Sequence, residues 1–551
     1  MKLLYLIGVL FLFITQSLNA QWVAQYGGVS AGDNPLSSAK GLAVAVEGSS
    51  GNCYVAGYTT NPETGNDILV IKYNENGDTL WVRTYSGDGY GDDKAYGIVV
   101  GTDGSAYIVG TVSKAGESYQ VAVLKYTSDG VLVKDAAIYG ETTDPKEDIG
   151  LNIAISQSGY IYVTGYSTAA DGFSNILVQK YSPTDSLMWT QTYGGPENLD
   201  SKAYGIVVDE TDNLFITGYT NTAANSNDII TIKYDGEGNL IWSNTHDGSG
   251  HGDDRANALA IDAGKNVYVT GYTTSYYYGS DCALLKYNSD GSFAWVRTID
   301  GSADNEDKAY GIVVDEIDNL IIITGYISTV YNSKNYVTAS YTPQGYKFWQ
   351  KTYDGPVDGD DRANAIGLTS DGRIIVTGES MGWNNNHDFA TIKYSKYGSV
   401  LQISRYSLTG NSDDVAKDIA ISDDNDAFIT GTSELVVNTL NAPSYATTMT
   451  LDWGEENEVS LTKPLSFELS QNYPNPFNPT TNIDFTINQN VRVKINIYDI
   501  LGRLVQKLVD EDLNKGTYKI TFNGNNLSSG TYFYELTAGD FRDVKKMLLI
   551  K

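Results

Sequence analysis

Apolar residues in this chain come in short runs cut by Gly, Asn and Asp, and the stretch from Lys202 to Asp247 shows the pattern in full. Its apolar runs are Ala203–Val208, Asn213–Tyr219, Ile229–Tyr234 and Leu240–Thr245. Each is rich in Val, Ile, Thr and Tyr, which suit a pleated and packed surface. Between them lie turn formers such as Asp209-Glu210-Thr211-Asp212 and Gly236-Glu237-Gly238-Asn239. The pattern predicts four consecutive strands. Other runs, such as Ile68-Leu69-Val70-Ile71 and Ile161-Tyr162-Val163, are continuous rather than alternating. Both faces of each sheet must then be covered.

The unit repeats. A glycine at the end of the second run falls at Gly57, Gly110, Gly165, Gly218, Gly271, Gly325, Gly378 and Gly431, at intervals of 53, 55, 53, 53, 54, 53 and 53 residues. Sixteen residues after the first seven of these comes a tyrosine: Tyr73, Tyr126, Tyr181, Tyr234, Tyr287, Tyr341 and Tyr394. Four-stranded units that each need cover on both faces find it by stacking radially, which is a β-propeller. The eighth unit has runs at Ala416–Ile421, Ala427–Thr432 and near Thr447–Asp452 but no fourth. The N-terminal Trp22–Gly28 resembles the fourth run Trp81–Gly87, so it is expected to complete the last blade and leave no open sheet edge. The expected fold class is all-β: an eight-bladed β-propeller over residues 21–454, then a small Ig-like β-sandwich.

Segments such as Ala203-Tyr204-Gly205-Ile206-Val207-Val208, Thr217-Gly218-Tyr219 and Asp228-Ile229-Ile230-Thr231-Ile232-Lys233-Tyr234 resemble the SBBP (seven-bladed beta-propeller) repeats of bacterial secreted proteins. The resemblance implies a propeller and a secreted location and no particular activity. The family name offers seven blades as the alternative to the eight counted.

After a polar linker at residues 455–466, residues 467–551 form a second domain with runs at Thr481–Ile487, Val491–Asp499, Gly516–Phe522, Gly530–Thr537 and Asp543–Ile550. About seven short strands fit a small sandwich. The motifs Tyr473-Pro474-Asn475-Pro476-Phe477-Asn478-Pro479, Val493–Arg503, Leu527–Tyr532 and Lys545-Lys546-Met547-Leu548 resemble the type A C-terminal sorting domain of the type IX (Por) secretion system. That resemblance implies two partners, the type IX outer-membrane machinery and a sortase-like peptidase that removes the tail. It also implies attachment of the cargo to surface lipopolysaccharide.

Composition agrees with an all-β chain: 551 residues with 12% aromatics, 42 Tyr and 56 Gly. The net charge of −30 repels nucleic acid and anionic membranes, so neither is an expected partner. Residues 1–20 read as a signal peptide, with Lys2, the apolar run Leu3–Ile14 and cleavage between Ala20 and Gln21. That run is too short to span a membrane, and no transmembrane segment follows it. The expected location is extracellular or on the outer-membrane surface. Cys53 and Cys282 fall in units one and five, opposite each other in an eight-membered ring, so they are expected to be buried thiols without a disulfide.

Candidate chemistry is sparse. In a propeller the loops joining one blade to the next share a face with the loops between second and third strands, and here both are distinctive. The inter-blade loops are acidic, and Asp93, Asp254, Asp307 and Asp361 recur just before the first strand, as do Asp148 and Asp414. A ring of carboxylates would suit Ca²⁺, whereas a role in capping backbone N–H groups at a sharp turn is the plainer reading. No loop has the twelve-residue calcium-loop spacing. Tyr276, Tyr277, Tyr278, Trp383 and His387 lie in variable loops where they could stack on a sugar or anchor a protein. His246, His251 and His387 lack metal-ligand spacing. Three readings follow: a binding or adhesion platform for a glycan or protein, a polysaccharide hydrolase using carboxylates at the channel mouth, and a structural surface component. An enzyme is the less favoured of these.

Overall fold

The computed structural model describes the chain except residues 1–19, 28–37, 90, 116–118, 140–146, 223–225, 276–278, 304, 331–332, 384, 409–411, 436–443, 452–467, 473, 488–490, 501, 514–515 and 540. Regular structure among the described residues is all strand apart from a single 3-10 turn at Gly48–Ser50. The expected linker at 455–466, the signal segment up to residue 19, and Tyr276, Tyr277, Tyr278 and Tyr473 lie outside the described residues.

From Ala20 to Leu451 the chain forms eight four-stranded antiparallel sheets. Seven use consecutive strands. The fourth unit is Ser201–Val208, Leu214–Asn221, Asn227–Tyr234 and Leu240–His246, each bounded within two residues of the sequence expectation. The eighth sheet takes Ser412–Ile421, Ala427–Leu435 and Ser444–Leu451, with the N-terminal Ala20–Tyr26 as its outermost strand. That strand begins two residues before the expected Trp22 and ends two before Gly28, because its pairing with the third strand finishes at the rung Tyr26↔Ala446. First strands of successive sheets touch one another, and Ser412–Ile421 touches Ala39–Glu47, so the circuit of sheets is closed.

Packing between neighbouring sheets explains the continuous apolar runs. Tyr162 and Val178 of unit three bury against Ile206, Ile216 and Ile232 of unit four. Phe428 and Ala446 of unit eight bury against Val44, Val55 and Leu69 of unit one. The recurring tyrosines are all buried, from 1% exposed at Tyr73 to 4% at Tyr234. The recurring tryptophans are less uniform. All five lie on the outermost strands of their sheets; Trp81 is buried, whereas Trp189, Trp242, Trp295 and Trp349 are half-buried.

The marker glycine has a steric cause. Each first strand bulges opposite it: Ala203 pairs with Gly218, and the next rung is Gly205 with Thr217. The bulge pushes the Lys202 carbonyl onto the second strand, and a Cβ on Gly218 would sit 2.0 Å from that oxygen. The same approach recurs at all eight glycines, at 1.9–2.1 Å, so only a residue without a Cβ fits there.

The tail has two sheets. One pairs Glu468–Leu469, Thr480–Ile487 and Gly516–Asn523. The other orders Leu504–Leu513, Val491–Asp499, Gly530–Ala538 and Phe541–Leu549. Ile483, Phe485 and Phe522 of the first share a core with Ile495, Ile497, Tyr534, Leu536 and Met547 of the second. Leu504–Leu513 is not evident in the sequence, since Gln506, Lys507 and Asp510-Glu511-Asp512 break its apolar pattern. Among the described residues no helix is long and apolar enough to cross a membrane. Cys53 and Cys282 are both buried free thiols.

Candidate binding face and carboxylate junctions

The recurring first-strand aspartates tie the two loop sets together. Asp93 accepts from Gly87 N in the loop joining units one and two. Its other oxygen accepts from Ser113 N, at the end of the second strand, at 2.6 Å. Asp361 accepts from Gly355 N at 2.7 Å and Met381 N at 3.0 Å. Asp307 makes the same pair of contacts with Gly301 N and Ser328 N, and Asp254 with Gly248 N and Thr274 N. All four are at most 1% exposed. Burial is the main cause that raises their carboxyls above the usual range, to about 6 for Asp307 and Asp361. Each caps backbone N–H groups of its own junction, and the four do not converge on one point. Asp148 and Asp414 are also buried at the corresponding positions.

Two junctions gather further acids that the sequence analysis did not single out. Between units four and five, one carboxylate oxygen each of Asp228, Asp247 and Asp254 lies within 4.8 Å of the others. Between units five and six Asp281, Asp300 and Asp307 do the same. The signal is present in the sequence: both triads lead the third strand, follow the fourth and precede the next first strand, with spacings of 19 and 7 residues. Burial raises Asp228 and Asp281 to about 6, with the neighbouring aspartates adding to the effect.

The variable loops place the aromatic candidates apart. Trp383 stands at a loop tip and is 78% exposed. His387 opens its strand half-buried, and Asp413 accepts from its backbone N at 2.9 Å while facing Nδ1 at 3.3 Å. Val330 and Phe173, in the matching loops of units six and three, are also exposed. The loop face is held to its neighbours by contacts such as Val330 N donating to Ser302 Oγ at 3.2 Å.

The opposite face carries a shallow cavity of about 270 Å³ among the first-to-second-strand turns, bordered by Ile155, Asp209, Glu210, Asp262, Lys265 and Glu316. Its polar groups are engaged within their own turns or with the neighbouring one. Asp209 accepts from the backbone N of Thr211 and Asn213 at 2.8 and 3.0 Å, Asp262 accepts from Asn266 N at 2.9 Å, and Lys265 pairs with Glu210. The three histidines are dispersed. His246 stacks on Phe293 with ring centroids 5.7 Å apart, and His251 Nδ1 lies 2.6 Å from Asp247. No cluster of three metal-capable side chains among the described residues includes a histidine.

In the tail the Pro-Asn-Pro-Phe-Asn-Pro motif is a structural clasp. Phe477 is buried against Phe522 and bridges to Leu549 on the last strand. Asn475 Oδ1 accepts from Leu548 N at 2.8 Å. Asn472, before the motif, donates to Thr481 Oγ1 at 2.9 Å, and its own N–H donates to Tyr534 OH at 2.7 Å.

Residues 471–551 match the family model of the secretion system C-terminal sorting domain, and residues 189–223 match the beta-propeller repeat. Both resemblances carried by the motifs are upheld, and the tail implies export to the cell surface or the medium. No curated protein matches the chain in sequence. Three solved structures are similar in fold. PorZ, an essential bacterial surface component of the type-IX secretion system of Porphyromonas gingivalis, is 11% identical with a TM-score of 0.24, over 93% of this chain and 81% of that one. A protein of unknown function from Dyadobacter fermentans is 9% identical with a TM-score of 0.33, over 78% and 98%. The β-propeller domain of the Trilobed protease from Pyrococcus furiosus is 14% identical with a TM-score of 0.33, over 65% and 95%.

Proposed function

We propose that this chain is cargo of the type IX route whose closed circuit of sheets is an eight-bladed propeller. Its loop face binds a glycan or a surface protein. Trp383 carries the reading: a large aromatic held 78% exposed at a loop tip, the kind of flat amphipathic ring that stacks on ligands and anchors partners at binding faces. Tyr276, Tyr277 and Tyr278 fall at the equivalent sequence positions two units earlier in the chain. In this reading the N-terminal segment directs passage through the inner membrane, with cleavage between Ala20 and Gln21. The tail, as an Ig-like sandwich, is the address read and removed at the outer membrane.

The hydrolase reading has weaker support. The acids raised to about 6 at Asp307 and Asp361 are buried with both oxygens engaged by backbone N–H groups, rather than facing an open cleft. The test is a screen of the full chain against arrayed glycans and surface proteins, repeated with Trp383→Ala. A ligand lost on that substitution supports the loop face. A ligand bound equally well by the variant, or no ligand at all, contradicts it.

A further inference from the structure

We propose that the junction between the fourth and fifth sheets is a calcium site formed by Asp228, Asp247 and Asp254. Three segments build it: the start of a third strand, the residue after the fourth strand, and the residue before the next first strand. The backbone fixes their approach, since Asp254 N donates to Asn227 O at 2.8 Å and brings the two strands' aspartates side by side.

The decisive group is Asp228. It is only 5% exposed, and its Oδ1 is shut off from solvent with no hydrogen-bond donor among the described residues. Its other oxygen has one long contact, from Thr222 Oγ1 at 3.4 Å. An ionised carboxylate left in this state is strongly disfavoured unless a cation joins it. No lysine or arginine pairs with Asp228 or Asp254 among the described residues, and the partner seen at Asp247 is His251.

Two of the corresponding third-strand acids elsewhere are provided for. Asp67 receives Asn61 Nδ2 at 2.9 Å and Thr64 Oγ1 at 2.8 Å. Asp388 receives the guanidinium of Arg405 at 2.9 Å. Among the described residues no such donor reaches Asp228 Oδ1, and the carboxylates of Asp247 and Asp254 stand beside it instead.

The chemistry selects the ion. All candidate ligands are oxygens, which excludes the softer metals' preferred thiolate and imidazole sets. Oxygens on opposite sides of a calcium ion, each at about 2.4 Å, stand up to about 4.8 Å apart, and the three cluster oxygens all lie within 4.8 Å of one another. Asp254 keeps its backbone bonds while ligating, because a carboxylate has about four lone-pair sites. A bound calcium would lock the loop between two sheets on the proposed ligand face. This inference needs neither a ligand nor export to be correct.

The test uses the chelator-treated full chain and calcium chloride. Calorimetric titration counts bound calcium, and thermal melts are recorded with calcium and with EDTA. The expected result is a melting temperature that rises with calcium. Asp228→Asn should bind one equivalent fewer, or bind calcium at least about tenfold more weakly. It should melt no lower than the parent in EDTA, since it removes a buried charge. Asp247→Asn, at a less buried position, should lose the same equivalent. A parent chain that neither binds nor is stabilised by calcium overturns the proposal. So does an Asp228→Asn variant that keeps the parental stoichiometry and affinity.

Discussion

The indole of Trp22 donates to the backbone carbonyl of Glu75 at 2.8 Å, joining the N-terminal strand of the eighth sheet to the third-to-fourth-strand turn of the first. The same bond runs from Trp81 to Ser128, Trp189 to Gly236, Trp295 to Pro343 and Trp349 to Lys396, at 2.9–3.2 Å. The seam where the chain's ends meet is thus made like the junctions along it. Trp22 also lies against Tyr73 and Phe428, with ring centroids 5.7 and 6.2 Å away. Trp22→Phe keeps most of the packing and loses the bond, so a loss of about 1 kcal/mol is expected. Trp22→Ala should lose about 2–3 kcal/mol, less than a fully buried site would. Urea unfolding of the two variants measures the difference.

A second seam contact makes stability depend on pH. Asp418 lies on the eighth unit's first strand and reaches the first unit, where its Oδ2 accepts from Val44 N at 2.9 Å. Its Oδ1 accepts from Ile419 N at 2.9 Å. Burial is the main cause that raises its carboxyl from 3.8 to about 6. The folded chain therefore holds a proton that the unfolded chain has released between about pH 4 and 6. The contribution is complete below the lower value and is lost as pH rises through the upper one. Its slope is at most about 1.4 kcal/mol per pH unit, the limit for one proton. Asp418→Asn should flatten this part of the stability profile, as seen by melts from pH 4 to 7 in EDTA. An unchanged profile would show that Asp418 does not titrate there.

The clasp in the tail gives a third expectation. Phe477 N donates to Leu548 O at 2.9 Å, and Ile550 N donates to Phe477 O at 3.0 Å, so the motif adds a rung beside the last strand. Phe477→Ala removes a side chain that is 2% exposed and should cost the tail about 3–5 kcal/mol. Limited proteolysis of the full chain should then cleave within 467–551 while leaving the repeat region intact.

Periodicity made the sheets legible. Glycine at the second strand's end is dictated by a carbonyl about 2 Å from where a Cβ would be, and that constraint returns with every unit. Closure was legible because Trp22 repeats the sequence context of Trp81. The carboxylate triads were not singled out, because their members are 7 and 19 residues apart and belong to two different sheets. The half-burial of the outer tryptophans was also hidden, since a tryptophan that packs on one side and faces water on the other looks like core in sequence.

The most direct test of the account is export of the full chain compared with a form lacking residues 467–551, in a bacterium with a working type IX system. The full chain should reach the cell surface or the medium, and the shortened form should stay in the periplasm, folded. A shortened form exported as efficiently as the full chain would contradict the assignment of the tail as the address.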